Sequence, residues 1–197
     1  MLLSSVALAG SFEIEAEDLT LVTVEYTGMV DFGDVDRWND VVEYANGRVI
    51  KLIINSGGGY AYAGLDLYYA LESYPNLITV GGKDYGAWSA AAIMWLAGDL
   101  KLVEPGGAVW FHAAYCTWDP WPAPSIGCDT SNFQLQLMDL FEHAGYNGHM
   151  FNMWLNIVQY DAGTDGWIGI AAGGWWIYDS TEGWRIPFDP YKIGEKA

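Results

Sequence analysis

The hydrophobic positions of the first half of the chain follow two alternating periods. Residues 19–26 (LTLVTVEY) and 48–55 (RVIKLIIN) are rich in β-branched side chains and predict strands. Between them, apolar side chains recur at helical spacing and predict a helix over residues 34–45, which Asn46-Gly47 should end. The members of that helical stripe are Val35, Trp38, Val41, Val42 and Ala45.

The same alternation continues to residue 112. A helix is predicted over residues 60–74, because Pro75 would end it, and another from Ser89 onward. Strands are predicted at 76–81, 100–103 and 108–112. Strands that alternate with helices indicate an α/β fold with a mostly parallel sheet and flanking helices.

The remaining segments have weaker patterns. Residues 113–130 contain three prolines and both cysteines and are predicted as a loop. A long helix is predicted from 131 to about 160, with Gly145 and Gly148 as interruptions, and the WRIPFD tail as a short strand or turn. The opening MLLSSVALAG lacks a basic region, so residues 1–18 are interpreted as a mobile or docking segment, with secretion as the alternative, and residues 19–197 as one domain.

Composition and charge limit the classes of function that the chain can have. A hydrophobic content of 52% over 197 residues predicts a globular domain with a substantial core. The longest apolar runs, 87–97 and 167–178, are shorter than the roughly 20 residues that a membrane helix needs. A net charge of −17 repels phosphate backbones and anionic lipids, so neither nucleic acid nor a membrane is an expected partner.

The cysteines and histidines predict no metal site. Cys116 and Cys128 lack CxxC spacing, and the three histidines do not complete a zinc ligand set. No cofactor is predicted either. Two free thiols in a cytoplasmic protein are favoured over a disulfide, which an oxidising compartment would allow.

Three features at predicted strand ends suggest one chemistry. Three glycines (57–59) follow a strand and could turn backbone N–H groups outward as an oxyanion hole requires; they lack the GxGxxG spacing of a dinucleotide site. Ser89 begins a helix, where it is either an N-cap or a nucleophile. His112 ends the second predicted strand after Ser89 and could take the serine proton. It could also be structural. His143 and His149 are interpreted as structural.

Three blocks of the sequence resemble the proteolytic subunit family of the Clp protease, ClpP. INSGGGYAYAGLDLYYAL resembles the family's INSPGGxxxAGLxIYxxM, with Gly57 in place of proline. AWSAAAIMWLAG resembles AxSxGAxLLAAG and places Ser89 on the nucleophile, while the family's leading glycine falls on Tyr85. VWFHAA resembles VMIHQP and places His112 on the base. DSTEGWRIPFD is a faint match to the closing SAxEAxxYGLID.

The resemblance implies a ClpP/crotonase-like fold of stacked ββα units. It also implies a serine endopeptidase that forms a homo-oligomeric ring, heptameric or double, and cleaves unfolded polypeptide delivered by an AAA+ ATPase. In that mechanism Ser89 attacks, His112 moves the proton, and the N–H groups of Gly58 or Gly59 and Ala90 hold the oxyanion. The divergent termini and the 11 tryptophans suit a phage-encoded member acting in the host cytoplasm.

The sequence departs from the family pattern at the aspartate, the third member of the family's Ser–His–Asp catalytic triad. The stretch that matches the family aspartate reads GIAAGGWWIY and has no carboxylate, so Asp161 or Asp165 would serve only through a shifted loop. One alternative is therefore a catalytically impaired, ring-forming or host-interacting homologue. An acyl-CoA enzyme of the crotonase type and a serine–lysine peptidase are further alternatives, but basic residues are few and Lys83 and Lys101 lie in no recognisable motif.

Overall fold

The computed structural model of the chain describes residues 9–112, 131–149, 151–153, 155, 166–171, 174–179 and 185–188. Contacts divide the chain into two compact units, Met1–Val109 and Trp110–Ala197. The elements of the first unit are β1 Ser11–Glu17, β2 Leu21–Thr27, α1 Asp34–Ala45, β3 Val49–Asn55, α2 Ala61–Glu72, β4 Leu77–Gly81, β5 Ala87–Trp88, α3 Ala90–Leu96 and β6 Leu100–Val103. Strand β7, Ala108–Phe111, begins in this unit and ends in the second.

The first unit is built on a five-stranded sheet in the order β1-β2-β3-β4-β6. Strands β2, β3, β4 and β6 are parallel, and β1 pairs antiparallel with β2. The predicted mostly parallel sheet with flanking helices is therefore confirmed. Strand β1 was not predicted, although its SFEIEAE sequence alternates apolar and acidic side chains, because residues 1–18 were interpreted as a mobile or docking segment.

The core of the first unit follows from strand alternation. In β2 and β3 every second residue is buried and the others are half-buried, so one face of the sheet is covered. Helix α1 buries Trp38, whose indole N–H donates to the Ala70 carbonyl of α2 at 3.2 Å. The helix ends where predicted, because Asn46 (φ 49°) and Gly47 (φ 82°) adopt left-handed backbone conformations.

Beyond the end of β7, the described residues of the second unit form α4 Ser131–His143, β8 Gly166–Ala171, β9 Gly174–Asp179 and β10 Arg185–Phe188. These strands pair antiparallel in the order β8-β9-β10. The predicted interruption of the long helix is confirmed at Gly145, where φ is 89°, and helical backbone resumes at residues 148–149. Cys116, Cys128 and the predicted helix beyond residue 155 lie outside the described residues.

Aromatic side chains form a central part of the core of the second unit. Phe141 stacks on Phe151 with ring centroids 3.6 Å apart, and Phe111 packs edge-on against both.

Among the residues that the structure describes, no helix is long and apolar enough to cross a bilayer. Within the same ranges, no three His, Cys, Asp or Glu side chains cluster as metal ligands.

Candidate active site

Ser89 occupies a sharp turn between β5 and α3. Its backbone dihedrals are φ 56° and ψ −123°, a conformation that costs a residue with a Cβ of order 1–3 kcal/mol and that persists only where surrounding contacts enforce it. Its side chain makes no capping hydrogen bond to the described helix that follows, so helix capping does not explain a serine at this position. A strained serine between a strand and a helix is the local arrangement that presents a nucleophilic hydroxyl.

A parallel bridge places the glycine loop beside Ser89. Ser56 pairs with Ala87: the Ser56 N–H donates to the Gly86 carbonyl at 2.8 Å, and the Trp88 N–H donates to the Ser56 carbonyl at 3.0 Å. Two residues further along each segment, Gly58 lies opposite Ser89. The predicted convergence of the glycine loop and the serine is therefore observed within the first unit.

Gly58 is packed against the serine turn with no space for a side chain. A Cβ atom built on Gly58 would lie 2.6 Å from the Ser89 Cβ, 2.6 Å from the Trp88 carbonyl oxygen and 2.9 Å from the Ala90 nitrogen. Its φ of 95° is also a conformation that other residues rarely adopt. Glycine is thus required here by both space and backbone conformation.

The opposite side of the glycine loop is fixed by the turn after β2. The Val30 N–H donates to the Gly58 carbonyl at 3.0 Å, and the Tyr60 N–H donates to the Val30 carbonyl at 3.0 Å. The Ser56 hydroxyl donates to the Gly28 carbonyl at 2.6 Å and accepts from the Gly58 N–H at 3.2 Å. The loop is therefore held on both sides, as a preformed oxyanion site requires.

Asp34 supports that turn from within the core. Its carboxylate is fully buried and accepts from the Tyr26 hydroxyl and the Asp31 N–H, both at 2.8 Å, and from the Arg37 Nε at 3.0 Å. Burial, together with the Asp34 carboxylate, raises the pKa of Tyr26 far above its ordinary value, so this hydroxyl remains a donor. No sequence signal indicates this cluster, because its members are ordinary strand, turn and helix residues.

Asn55 fixes the segment that leads into β5. Its side-chain oxygen accepts from the Tyr85 N–H at 3.0 Å and the Gly86 N–H at 3.1 Å, and its amide nitrogen donates to Glu25 Oε1 at 2.6 Å. One amide side chain thereby links β2, β3 and the approach to Ser89. Asn55 belongs to the INS block, but no sequence signal indicates that its partners lie 30 residues away on both sides.

The start of α3 is placed by contact with α2. A Cβ on Gly64 would lie 3.0 Å from the Ala90 carbonyl and 3.1 Å from the Ala90 Cβ, so glycine permits this close approach of the two helices. Ala90, one of the predicted oxyanion-hole residues, is 2% exposed. Its backbone nitrogen lies against Gly58, next to the loop that supplies the other predicted donors.

The predicted base lies in the second unit. His112 directly follows β7 and packs against Trp167, with ring centroids 4.4 Å apart. The first residue of β7, Ala108, lies against Gly86 in the first unit, since a Cβ on Gly86 would be 2.4 Å from the Ala108 carbonyl oxygen. The pairing of His112 with Ser89 stays a prediction, and Asp161 and Asp165 lie outside the described residues.

Lys101 is poorly placed to serve as the base. Strand register sets Lys101 level with Leu52, which is four residues, or about 13 Å, before Ser56. Its ammonium group donates to the Gly98 carbonyl at 2.7 Å, and burial lowers its pKa. The next lysine in the sequence is Lys192, so the chain offers no lysine between residues 102 and 191.

The fold and the strained serine define a ClpP-like structure. The chain is similar to the membrane-bound stomatin-specific protease 1510-N, solved as a serine mutant, at 17% identity and a TM-score of 0.52 over 70% of this chain and 69% of that one. It is similar to the same protease solved as a lysine mutant with a substrate peptide, at 18% identity and a TM-score of 0.53 over 70% of this chain and 65% of that one.

A third similar structure is a ClpP, the family that three blocks of the sequence resemble. ClpP1 from Listeria monocytogenes aligns at 18% identity and a TM-score of 0.50, over 68% of this chain and 78% of that one. No family model matches the sequence, and no curated protein matches it either. The similarity therefore establishes the ClpP-like fold, which confirms the fold predicted from three short sequence blocks.

Proposed function

We propose that the protein is a serine endopeptidase that cleaves unfolded polypeptides with Ser89 as its nucleophile. The observation that carries the proposal is the strained backbone of Ser89, held against Gly58 of a loop that is itself fixed on both sides. Backbone strain of this kind accumulates at sites where chemistry needs one fixed geometry. The ClpP-like fold and its protease neighbours support the same reaction class.

In the proposed mechanism the Ser89 hydroxyl oxygen bonds to the scissile carbonyl carbon while His112 accepts its proton. Backbone N–H groups of Ala90 and of Gly58 or Gly59 hold the oxyanion; the Gly58 N–H would exchange its 3.2 Å bond to Ser56 for the substrate. The C–N bond then breaks, and His112 returns the proton to the departing amine. Water hydrolyses the resulting ester by the same proton route.

His112 needs a partner that orients its ring. Trp167 supplies a packing contact on one side of the imidazole. We assign the carboxylate partner to Asp165 or Asp161, since they are the nearest acids before the stretch that matches the family aspartate. The family resemblance further supports assembly into a homo-oligomeric ring and delivery of substrate by an AAA+ ATPase in the cytoplasm.

We expect the purified protein to degrade a permanently unfolded polypeptide such as β-casein and to leave a folded protein intact. The reason is that an extended chain can enter the Ser89 turn, whereas a folded one presents no free strand. Gel electrophoresis over time, with and without diisopropyl fluorophosphate, measures the loss of intact casein and of the folded protein. Degradation that persists after complete organophosphate treatment would contradict a serine mechanism.

One observation favours a second candidate, a catalytically impaired ring-forming or host-interacting subunit. The stretch that matches the family aspartate lies in the hairpin of β8 and β9, where Gly169 pairs with Trp176 and Ala171 pairs with Gly174, and it contains no acid. A triad without its carboxylate loses orders of magnitude in rate. A folded, oligomeric sample that neither cleaves casein nor reacts with an organophosphate would support this candidate.

A further inference from the structure

The side chain of Asn55 is held by a carboxylate on one side and by two backbone N–H groups on the other. Its amide nitrogen donates to Glu25 Oε1 at 2.6 Å, and its oxygen accepts from the N–H groups of Tyr85 at 3.0 Å and Gly86 at 3.1 Å. An ionised carboxylate can only accept a hydrogen bond, and a backbone N–H can only donate one. The partners therefore allow the amide one orientation, with its nitrogen toward Glu25 and its oxygen toward the segment that leads to Ser89.

The geometry of the sheet brings Glu25 to this amide. Asn55 lies level with Thr27 in the parallel pairing of β2 and β3, and Glu25, two residues earlier in β2, extends from the same face. Both side chains are half-buried. A Cβ built on Gly82 would lie 2.5 Å from both Cγ and Nδ2 of Asn55, so the carboxamide packs directly against that backbone. The amide is therefore confined in position, and Glu25 decides which of its two ends faces the serine turn.

The segment that the amide holds leads directly into Ser89. Gly86, three residues before Ser89, has a φ of 84°, and a glycine keeps a backbone freedom that only outside contacts restrain. Its N–H is fixed by Asn55, and its carbonyl accepts from the Ser56 N–H at 2.8 Å. A displacement of about 1 Å at a reacting group can lower a rate about 100-fold. The orientation of the Asn55 amide therefore bears on the reactivity of Ser89.

We infer that Glu25 is a positioning residue of the proposed peptidase: it sets the orientation of the Asn55 amide and, through it, the backbone that carries Ser89 to the glycine loop. The inference rests on the proposed function and adds a residue that none of the three ClpP-like sequence blocks contains. The chemistry of the pair permits a reciprocal exchange. Glu25→Gln supplies a donor and Asn55→Asp supplies an acceptor, so the two changes together keep every hydrogen bond that either change alone would disturb or leave ambiguous.

The test is the rate of fluorophosphonate labelling at pH 8, measured by intact mass, in variants that change the pair. Asn55→Asp places a second carboxylate against Glu25, and we expect the rate to fall about 10-fold or more, because the two charges repel and the side chain leaves its position. Adding Glu25→Gln should return the rate to within about 3-fold of wild type, because a donor again faces an acceptor. Glu25→Gln alone should label at about the wild-type rate, since its amide oxygen can accept from Asn55.

Glu13→Gln is the matched control, because Glu13 is exposed and lies opposite Glu25 in the antiparallel pairing of β1 and β2. Combined with Asn55→Asp, it removes a neighbouring negative charge without supplying a donor, so the rate should stay reduced. If urea denaturation shows that Asn55→Asp does not fold, Glu25→Ala takes its place. It leaves the amide without its acceptor and should label about 3- to 10-fold more slowly than Glu25→Gln.

Hydrogen exchange of residues 83–88, followed by mass spectrometry, is a second readout that needs no catalytic activity. Exchange in this segment should be faster in Asn55→Asp than in the wild type and should return to the wild-type rate when Glu25→Gln is added. A generally destabilised protein would instead exchange faster throughout the sheet.

Three labelling results would each overturn the inference: a wild-type rate in Asn55→Asp, a double variant as slow as Asn55→Asp, or equal rescue by Glu13→Gln. A loss confined to unfolding free energy, with the folded protein labelling at the wild-type rate, would overturn it too. Absence of any adduct on the wild-type protein would refute the proposed function. The exchange pattern would then decide separately whether the Glu25–Asn55 pair orients the segment before Ser89.

Discussion

Replacing Gly58 by alanine is expected to lower the rate of organophosphate labelling by about 10²- to 10³-fold, the range associated with loss of one oxyanion donor. The added Cβ would lie 2.6 Å from both the Ser89 Cβ and the Trp88 carbonyl oxygen. Because these are backbone and near-backbone atoms, the loop and the serine turn must separate. The loop then no longer presents its N–H groups at a fixed distance from the nucleophile.

Gly47→Ala is the matched control for that substitution. Gly47 has a similar φ of 82°, but a Cβ there meets nothing within 4 Å. It should cost about 1 kcal/mol of unfolding free energy from backbone strain and leave the labelling rate unchanged. Equal labelling rates for Gly58→Ala and Gly47→Ala, at matched stability in urea denaturation, would show that contact between the glycine loop and Ser89 is irrelevant to reactivity.

Replacing His112 by alanine is expected to lower the second-order rate of labelling by about 10⁴-fold or more, because a serine hydroxyl without a general base is a poor nucleophile. The rate is measured by intact mass over a time course. His149→Ala is the control: its side chain is 80% exposed and faces Glu142 at 3.8 Å, so its removal should leave the rate unchanged. If both variants labelled at the wild-type rate, another group would be the base.

Much of the first unit could be predicted because its elements carry clean periodicity. Helix α1 was predicted at residues 34–45, as observed, since its apolar stripe is regular and Asn46-Gly47 ends it. Strand β6 was also predicted with its observed limits. Strand β5 was not predicted, because two residues are too short to show alternation.

The second unit was harder to predict for a different reason. Strands β8 and β9 read GWIGIA and GWWIYD, where apolar residues and glycines fill nearly every position and no period of two stands out. Their antiparallel pairing depends on contacts that a single sequence does not encode locally.

Some residues of the candidate site could likewise be predicted from the sequence, and others could not. Ser89, Gly58 and Ala90 could be found because each belongs to a short block with recognisable spacing, and the structure brings these three together. The supporting residues could not be found. Asn55 acts through hydrogen bonds to residues 30 positions away, and Asp34 acts through a buried cluster whose members are individually unremarkable.

The central claim is that Ser89 is an activated nucleophile, and a fluorophosphonate probe tests it most directly. The wild-type protein and the Ser89→Ala variant are incubated with the probe, intact masses are compared, and the adduct is located by peptide mapping. The account predicts one adduct per chain, on Ser89, that is absent from the variant. A well-folded wild-type protein that gains no adduct, or an adduct that persists in Ser89→Ala, would contradict it.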